Sequence, residues 1–233
     1  MQILISGHSS GIGKSIAELA SERGHIIYGI SRRKLNLLND DNQLSADLSK
    51  LDEIERSVNW LKNKKINMFI HSAGANDIVC LEEATAENYT TAFNLHVLSA
   101  SQIVKPILKH MKSNSGGKVI LISSIWSKIS CHSRGPYSIA KSGLNALARQ
   151  IAVEFGDQNI TAQSLILGFV NSPLSSKTAN DELLSTARNR ILTKNKKLSE
   201  CKNIAESILD IASINNCYMN GSNIYMDAGI LCR

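Results

Sequence analysis

Apolar positions in this chain fall into two alternating kinds of segment. Short segments near residues 2–5, 26–30, 43–45, 67–70, 118–122, 161–166 and 223–226, most of them rich in apolar residues, read as strands. Between them, apolar residues recur every three to four positions near 12–23, 51–63, 89–111, 137–155 and 203–212, which predicts helices. In the first of these, Ile16, Leu19 and Ala20 form the apolar stripe, Glu18, Glu22 and Arg23 lie outside it, and Gly24 ends it. Unbroken apolar strands alternating with helices predict a parallel sheet of about seven strands, covered by helices on both faces. This is the doubly wound, Rossmann-type α/β class. Right-handed crossovers would set the carboxyl ends of the strands along one rim, where Gly7, Asp47, Gly74, Ser124 and Gly168 all follow strands.

With 233 residues, no Pro/Gly/Ser-rich tract, no internal repeat and 3 prolines, the chain is expected to form one domain spanning 1–233. No segment approaches 18 uninterrupted apolar residues and no charged leader precedes an apolar core, so a cytoplasmic protein without membrane spans is expected. The five cysteines, Cys80, Cys131, Cys201, Cys217 and Cys232, are odd in number and scattered, which fits reduced thiols rather than disulfides or metal ligands. A net charge of +6 could attract nucleic acid, but Lys and Arg are spread along the chain without a reader motif. A phosphorylated cofactor and an anionic substrate account for the excess base as readily.

The first strand runs directly into Ser6-Gly7-His8-Ser9-Ser10-Gly11-Ile12-Gly13 and then into a helix. A helix amino terminus aimed at a glycine turn offers unpaired N–H groups and the positive end of the dipole to a pyrophosphate. The following apolar run, residues 25–30, completes the βαβ context that gives such a glycine pattern its meaning.

A second pattern lies in Gly135-Pro136-Tyr137-Ser138-Ile139-Ala140-Lys141, with Ser124 thirteen residues before the tyrosine. If Tyr137 opens a helix, its phenol and the Lys141 ammonium share one face, a turn apart. Ionising a tyrosine near pH 7 requires a shift of roughly three units, about 4 kcal/mol. An ammonium about 4 Å away supplies energy of that order, so Lys141 is expected to lower the Tyr137 pKa and make it a general acid and base.

These patterns together resemble the short-chain dehydrogenase/reductase family, and in particular members similar to 3-oxoacyl-carrier-protein reductases. The glycine loop matches with Ser6 in place of threonine, and Ser124, Tyr137 and Lys141 match the active-site motif. Asn94 resembles the family's active-site asparagine. The likeness continues through His71-Ser72-Ala73-Gly74, where Ser72 replaces a central asparagine, and through Gly168-Phe169-Val170-Asn171-Ser172, preceded by Leu167 and Gln163 where the family usually has proline and asparagine. The resemblance implies hydride transfer between a nicotinamide and a ketone or secondary alcohol. Ser124 would hold the carbonyl, Tyr137 would pass the proton, Lys141 would bind the nicotinamide ribose, and Asn94 would hold a water feeding Lys141. It also implies contacts to the cofactor from Gly7, Ser9, Ser10, Gly11, Ile12 and Gly13, from Asp47 and Leu48 at the adenine, from Ser72, Ala73 and Gly74, and from Gly168, Val170 and Ser172 near the nicotinamide. A homotetramer or homodimer joined by the helices near 89–111 and 137–155 is a further implication.

Cofactor choice turns on the end of the second strand, where a carboxylate would bind the ribose 2′-hydroxyl. Ser31-Arg32-Arg33 stands there, with no Asp or Glu between Glu22 and Asp40, so NADP(H) is assigned, its 2′-phosphate on Arg32 or Arg33. Residues 173–200 resemble the family's substrate lid. Lys177, Arg188, Arg190, Lys194, Lys196 and Lys197 there outnumber Asp181 and Glu182, which raises an anionic or carrier-bound carbonyl substrate. Two other readings stay open: a catalytically idle NADP-binding regulator, and a nucleotide-sugar epimerase or dehydratase.

Overall fold

The computed structural model describes residues 1–114, 116–214 and 217–232. Its strands are β1 (Gln2–Ser6), β2 (Ile26–Ser31), β3 (Gln43–Ser45), β4 (Met68–His71), β5 (Gly117–Ser124), β6 (Ile160–Leu167), β7 (Val170–Asn171), β8 (Ser199–Glu200) and β9 (Asn223–Met226). Its helices are α1 (Gly11–Glu22), α2 (Leu51–Leu61), α3 (Ala86–Phe93), α4 (Ser99–Ser113), α5 (Gly135–Phe155), α6 (Pro173–Thr178), α7 (Asp181–Arg190) and α8 (Cys201–Ser213). The main sheet has seven strands in the order β3-β2-β1-β4-β5-β6-β9. All its pairings are parallel, as the unbroken apolar runs predict.

Period-two alternation sorts the core into two layers. Ile3 and Ile5 face α1 and α8, where they join Ile16, Ala20, Ile70, Ile120, Leu165 and Ile208. Leu4 faces the other way and packs with Phe69, Val119, Ile107, Leu144 and Leu61 beneath α2, α4 and α5. Both faces are therefore sealed, and each fully buried Leu, Ile or Phe contributes roughly 1.5–3 kcal/mol. Chain order reverses between β1 and β4, so the strand ends at Ser6 and His71 flank a crevice on the carboxyl rim.

The apolar pattern near 89–111 is not one continuous helix. A π turn at Asn94–Leu98 separates α3 from α4 and buries Asn94 and His96. Sequence periodicity cannot reveal the extra residue of a π turn, because it shifts the stripe by about one position. No helix among the described residues is long and apolar enough to cross a membrane, and all five cysteines are free.

Candidate active site

A groove of about 390 Å³ follows the carboxyl rim from the end of β2 to the start of α5. At its centre lies the turn into α1. Gly7 has φ of +77°, and a Cβ there would sit 2.7 Å from the Ala73 backbone nitrogen. A Cβ on Gly13 would sit 2.2 Å from the Gly7 carbonyl oxygen. No side chain fits at either position without moving backbone, so β1, α1 and β4 can meet this closely only with glycine. Ser10 gives α1 no side-chain cap and the first turn carries no acidic residue. Unpaired N–H groups at a positive dipole end therefore face the groove, a cradle that fits the pyrophosphate of a dinucleotide.

Ser9, Ser10, Gly11 and Ile12 line this cradle with Gly7, while Ser31, Arg32, Arg33, Asp47 and Leu48 line the end at β2 and β3. Arg32 and Arg33 are exposed. The Ser31 hydroxyl donates to the Arg33 carbonyl at 2.6 Å, and Ser45 donates to that of Arg32 at 3.0 Å, which fixes the backbone of the basic turn. Beneath it, buried His8 meets Gln43 at 3.2 Å, and Gln43 also accepts from the Leu35 N–H at 2.8 Å. Asp47 does not cap α2. Its Oδ1 accepts from the Ser49 N–H at 3.1 Å and hydroxyl at 2.8 Å. Partial burial raises the Asp47 pKa, but the Ser49 bonds and the charges of Arg32 and Lys50 outweigh that and leave it below the usual carboxylate range.

Ser72, Ala73 and Gly74 line the middle of the groove. The strand end there is braced by a pair that sequence reading did not foresee. His71 Nδ1 meets the Ser6 hydroxyl at 2.8 Å, and that oxygen accepts from the Ala73 N–H at 3.3 Å. Ser6 and His71 thus tie β1 to β4 without an asparagine at position 72. Burial and the nearby Lys141 charge push His71 down to about 3, so it stays neutral near pH 7.

Ser124, Tyr137 and Lys141 converge at the far end, beside Gly168, Val170 and Ser172. Pro136 near the start of α5 sets the helical turn that carries Tyr137, and the i, i+4 spacing brings Lys141 Nζ to 5.5 Å from the phenol ring centre. The Ser124 side chain lies near enough to favour the ionised phenol of Tyr137, and its hydroxyl oxygen accepts from the Trp126 N–H at 3.2 Å. Lys141 is 5% exposed and donates to the Ile122 carbonyl at 2.7 Å. Burial pushes it down to about 7. Tyr137 differs from the sequence expectation: burial pushes it up to about 12, outweighing the influence of the Ser124 side chain and the Arg134 charge. Lys141 is itself desolvated and bonded to a carbonyl, so it does not offset that burial. Left to the protein's own groups, the phenol is a proton donor throughout the neutral range.

Two residues assigned from sequence do not line the groove. Gly13 acts from beneath, through its contact with Gly7, and Asn94 donates to the carbonyl of Ser49, which does line the groove, at 3.1 Å. His96 was missed. It packs edge-on against Tyr137, with ring centres 5.4 Å apart, and shares a hydrogen bond with the Ala75 carbonyl at 2.9 Å. The basic residues of the lid segment line neither this groove nor the smaller cavity that adjoins it. Leu167, which stands where proline was expected, is buried among the apolar side chains beside β6.

The family model described as "Enoyl-(Acyl carrier protein) reductase" matches residues 7–231. The chain is a short-chain dehydrogenase/reductase. Carbonyl reductase family member 4 of Xenopus laevis is 25% identical over 97% of this chain and 96% of its own length. The 3-ketodihydrosphingosine reductase of Bacteroides thetaiotaomicron is 30% identical over 65% of this chain, a match that spans 57% of that protein. Among solved structures, a Beutenbergia cavernae protein described as a gluconate 5-dehydrogenase with bound NADP superposes with a TM-score of 0.90 at 18% identity, covering 100% of this chain and 97% of that one. A 4-hydroxyisoleucine dehydrogenase complexed with NADH gives 0.89 at 21%, covering 100% and 99%. Membership makes the protein an oxidoreductase acting on CH–OH or C=O groups with a nicotinamide cofactor.

Proposed function

We propose that the protein reduces a ketone to a secondary alcohol with NADPH, or runs the reverse reaction. One observation carries this reading: Ser124, Tyr137 and buried Lys141 together line the far end of the groove that begins at the glycine cradle. When bound, the cofactor supplies or accepts hydride. The chain's own residues do the rest. Ser124 and Tyr137 hold the carbonyl oxygen between two hydroxyls, and Tyr137 gives it a proton as negative charge develops there. Lys141, which exchanges its proton near neutrality, holds the nicotinamide ribose and supports the phenolate when it is protonated. Gly168, Val170 and Ser172 close the nicotinamide end, and Asn94 secures the α3–α4 chain to the Ser49 loop.

Preference for NADP(H) rests on Arg32 and Arg33, exposed on a backbone fixed by Ser31 and Ser45. The fold neighbours bind either nicotinamide and do not decide the point. A 3-oxoacyl thioester is a second substrate reading, supported by the name of the Vibrio harveyi relative, a 3-oxoacyl-[acyl-carrier-protein] reductase 21% identical to this chain. Residues 173–200, with α6 and α7, serve as the lid. A homotetramer or homodimer has support from apolar side chains left exposed on α3 and α5, namely Phe93, Ile139 and Val153. Absorbance of reduced nicotinamide, followed with ketones of several classes, tests the reading. Oxidation of NADPH faster than NADH is expected, and no consumption of either would refute it.

A further inference from the structure

Beyond the trio, a second cavity of about 70 Å³ opens from the groove and shares Ser124, Tyr137 and Gly168 with it. Trp126 and Phe169, packed edge to face with ring centres 5.7 Å apart, form an apolar wall. Arg134 stands in the lining at the N-cap of α5, three residues before Tyr137, and is 4% exposed. One terminal nitrogen donates to the Thr178 carbonyl at the end of α6. Its Nε and its other terminal nitrogen have no hydrogen-bond partner, and no ion pair to it is formed among the described residues. The Asn76 carboxamide oxygen, on the same lining, is also unpaired.

An arginine cannot shed its charge by titrating as a buried lysine does. Buried and left without a counter-ion, it is a strongly unfavourable arrangement. The arrangement is explained if the counter-ion arrives with the substrate. We propose that Arg134 binds a carboxylate carried one or two carbons from the reacting ketone, so that the substrate is a short oxo acid and the product the matching hydroxy acid. The unpaired Nε–H and terminal N–H lie on opposite sides of the nitrogen that holds Thr178, so each can donate one charge-assisted hydrogen bond to a carboxylate, and Asn76, with its amide turned, adds a further donor. Position supports a short spacing: the cavity that Arg134 lines shares Ser124 and Tyr137 with the groove, so an anion held there lies close to the carbonyl site. This assignment rests on Ser124 and Tyr137 being the carbonyl site and narrows what they act on. The cation that selects the substrate is then the buried residue at the N-cap of α5 and not the basic residues of the lid.

The test compares 2-oxobutanoate, 3-oxobutanoate and 4-oxopentanoate with their methyl esters as NADPH-dependent substrates of wild type, Arg134→Met and Arg134→Lys. Wild type is expected to prefer at least one acid over its ester by about 100-fold in kcat/KM. The methionine variant should lose that preference, mainly through KM, with esters changed less than about threefold; the lysine variant should fall between. Separately, propanoate should raise the melting midpoint of wild type by about 2 °C and leave Arg134→Met unmoved, a readout independent of turnover. Equal losses on acid and ester would make Arg134 a clamp on the Thr178 carbonyl and overturn the assignment, as would a wild type that prefers every ester. Failure of wild type to reduce any ketone would overturn the function proposed above and this assignment with it, whereas ester turnover without acid preference overturns this one alone.

Discussion

Replacing Lys141 by methionine should make the protein more stable at pH 7 while abolishing turnover. Lys141 is 5% exposed, and burial lowers its pKa from 10.5 to about 7. Between those two values the unfolded chain holds a proton that the folded chain has released. Stability therefore rises with pH across the window, and the loss is complete below about pH 7. A shift of this size amounts to roughly 4–5 kcal/mol in total, with a slope near 1.2 kcal/mol per pH unit around pH 8. Methionine has a similar length and no charge, so it removes this penalty but leaves the Ile122 carbonyl without its 2.7 Å donor. That loss costs about 1–3 kcal/mol. The net expectation is a gain of about 1–3 kcal/mol at pH 7 that vanishes by pH 9 to 10. Urea unfolding of both proteins, without added nucleotide, at pH 7, 8 and 9 measures it. Lys118, also lowered by burial, is common to both proteins and cancels in the difference. His71 titrates below the window and Tyr137 above it. A pH-independent difference, or a variant less stable than wild type at pH 7, would refute the reasoning. The expected outcome is a stability cost accepted for function.

Two further outcomes follow from the cofactor end. Arg33→Ala should weaken NADPH binding at least tenfold, about 1.4 kcal/mol, and change NADH binding less than twofold; fluorescence titration of both nucleotides measures this, and equal weakening would contradict the 2′-phosphate assignment. Gly13→Ala forces a methyl to 2.2 Å from the Gly7 carbonyl, and should cost about 1–3 kcal/mol of stability in thermal unfolding and abolish nucleotide binding. Unchanged affinity in that variant would show that the α1 turn is not the pyrophosphate cradle.

Strand positions were legible because a strand buried on both faces has no polar phase to obscure it. Ile3, Leu4 and Ile5 are all 0% exposed, so the run reads as a strand although its members serve two separate layers. The groove was legible for a related reason: its residues sit on strand ends and on one helical turn, where short-range spacing fixes geometry. What failed to show depends on distant partners. Ser6 and His71 pair across 65 positions. Arg134 is buried where its backbone pairs with Val79 and its side chain reaches Thr178, partners 55 and 44 positions away. The Tyr137 pKa went the other way because spacing reports the distance to Lys141 but says nothing of the desolvation both groups suffer. Asn94 opens the π turn and donates to the Ser49 carbonyl, a partner 45 positions away that local spacing cannot show.

The central claim is that Tyr137 passes the proton in a hydride transfer that the rest of the site positions. Tyr137→Phe tests it most directly, with NADPH affinity and ketone turnover measured on the same preparation. The account predicts NADPH affinity within about threefold of wild type and a fall in kcat of at least 10²-fold. Near-wild-type turnover in the phenylalanine variant would contradict it.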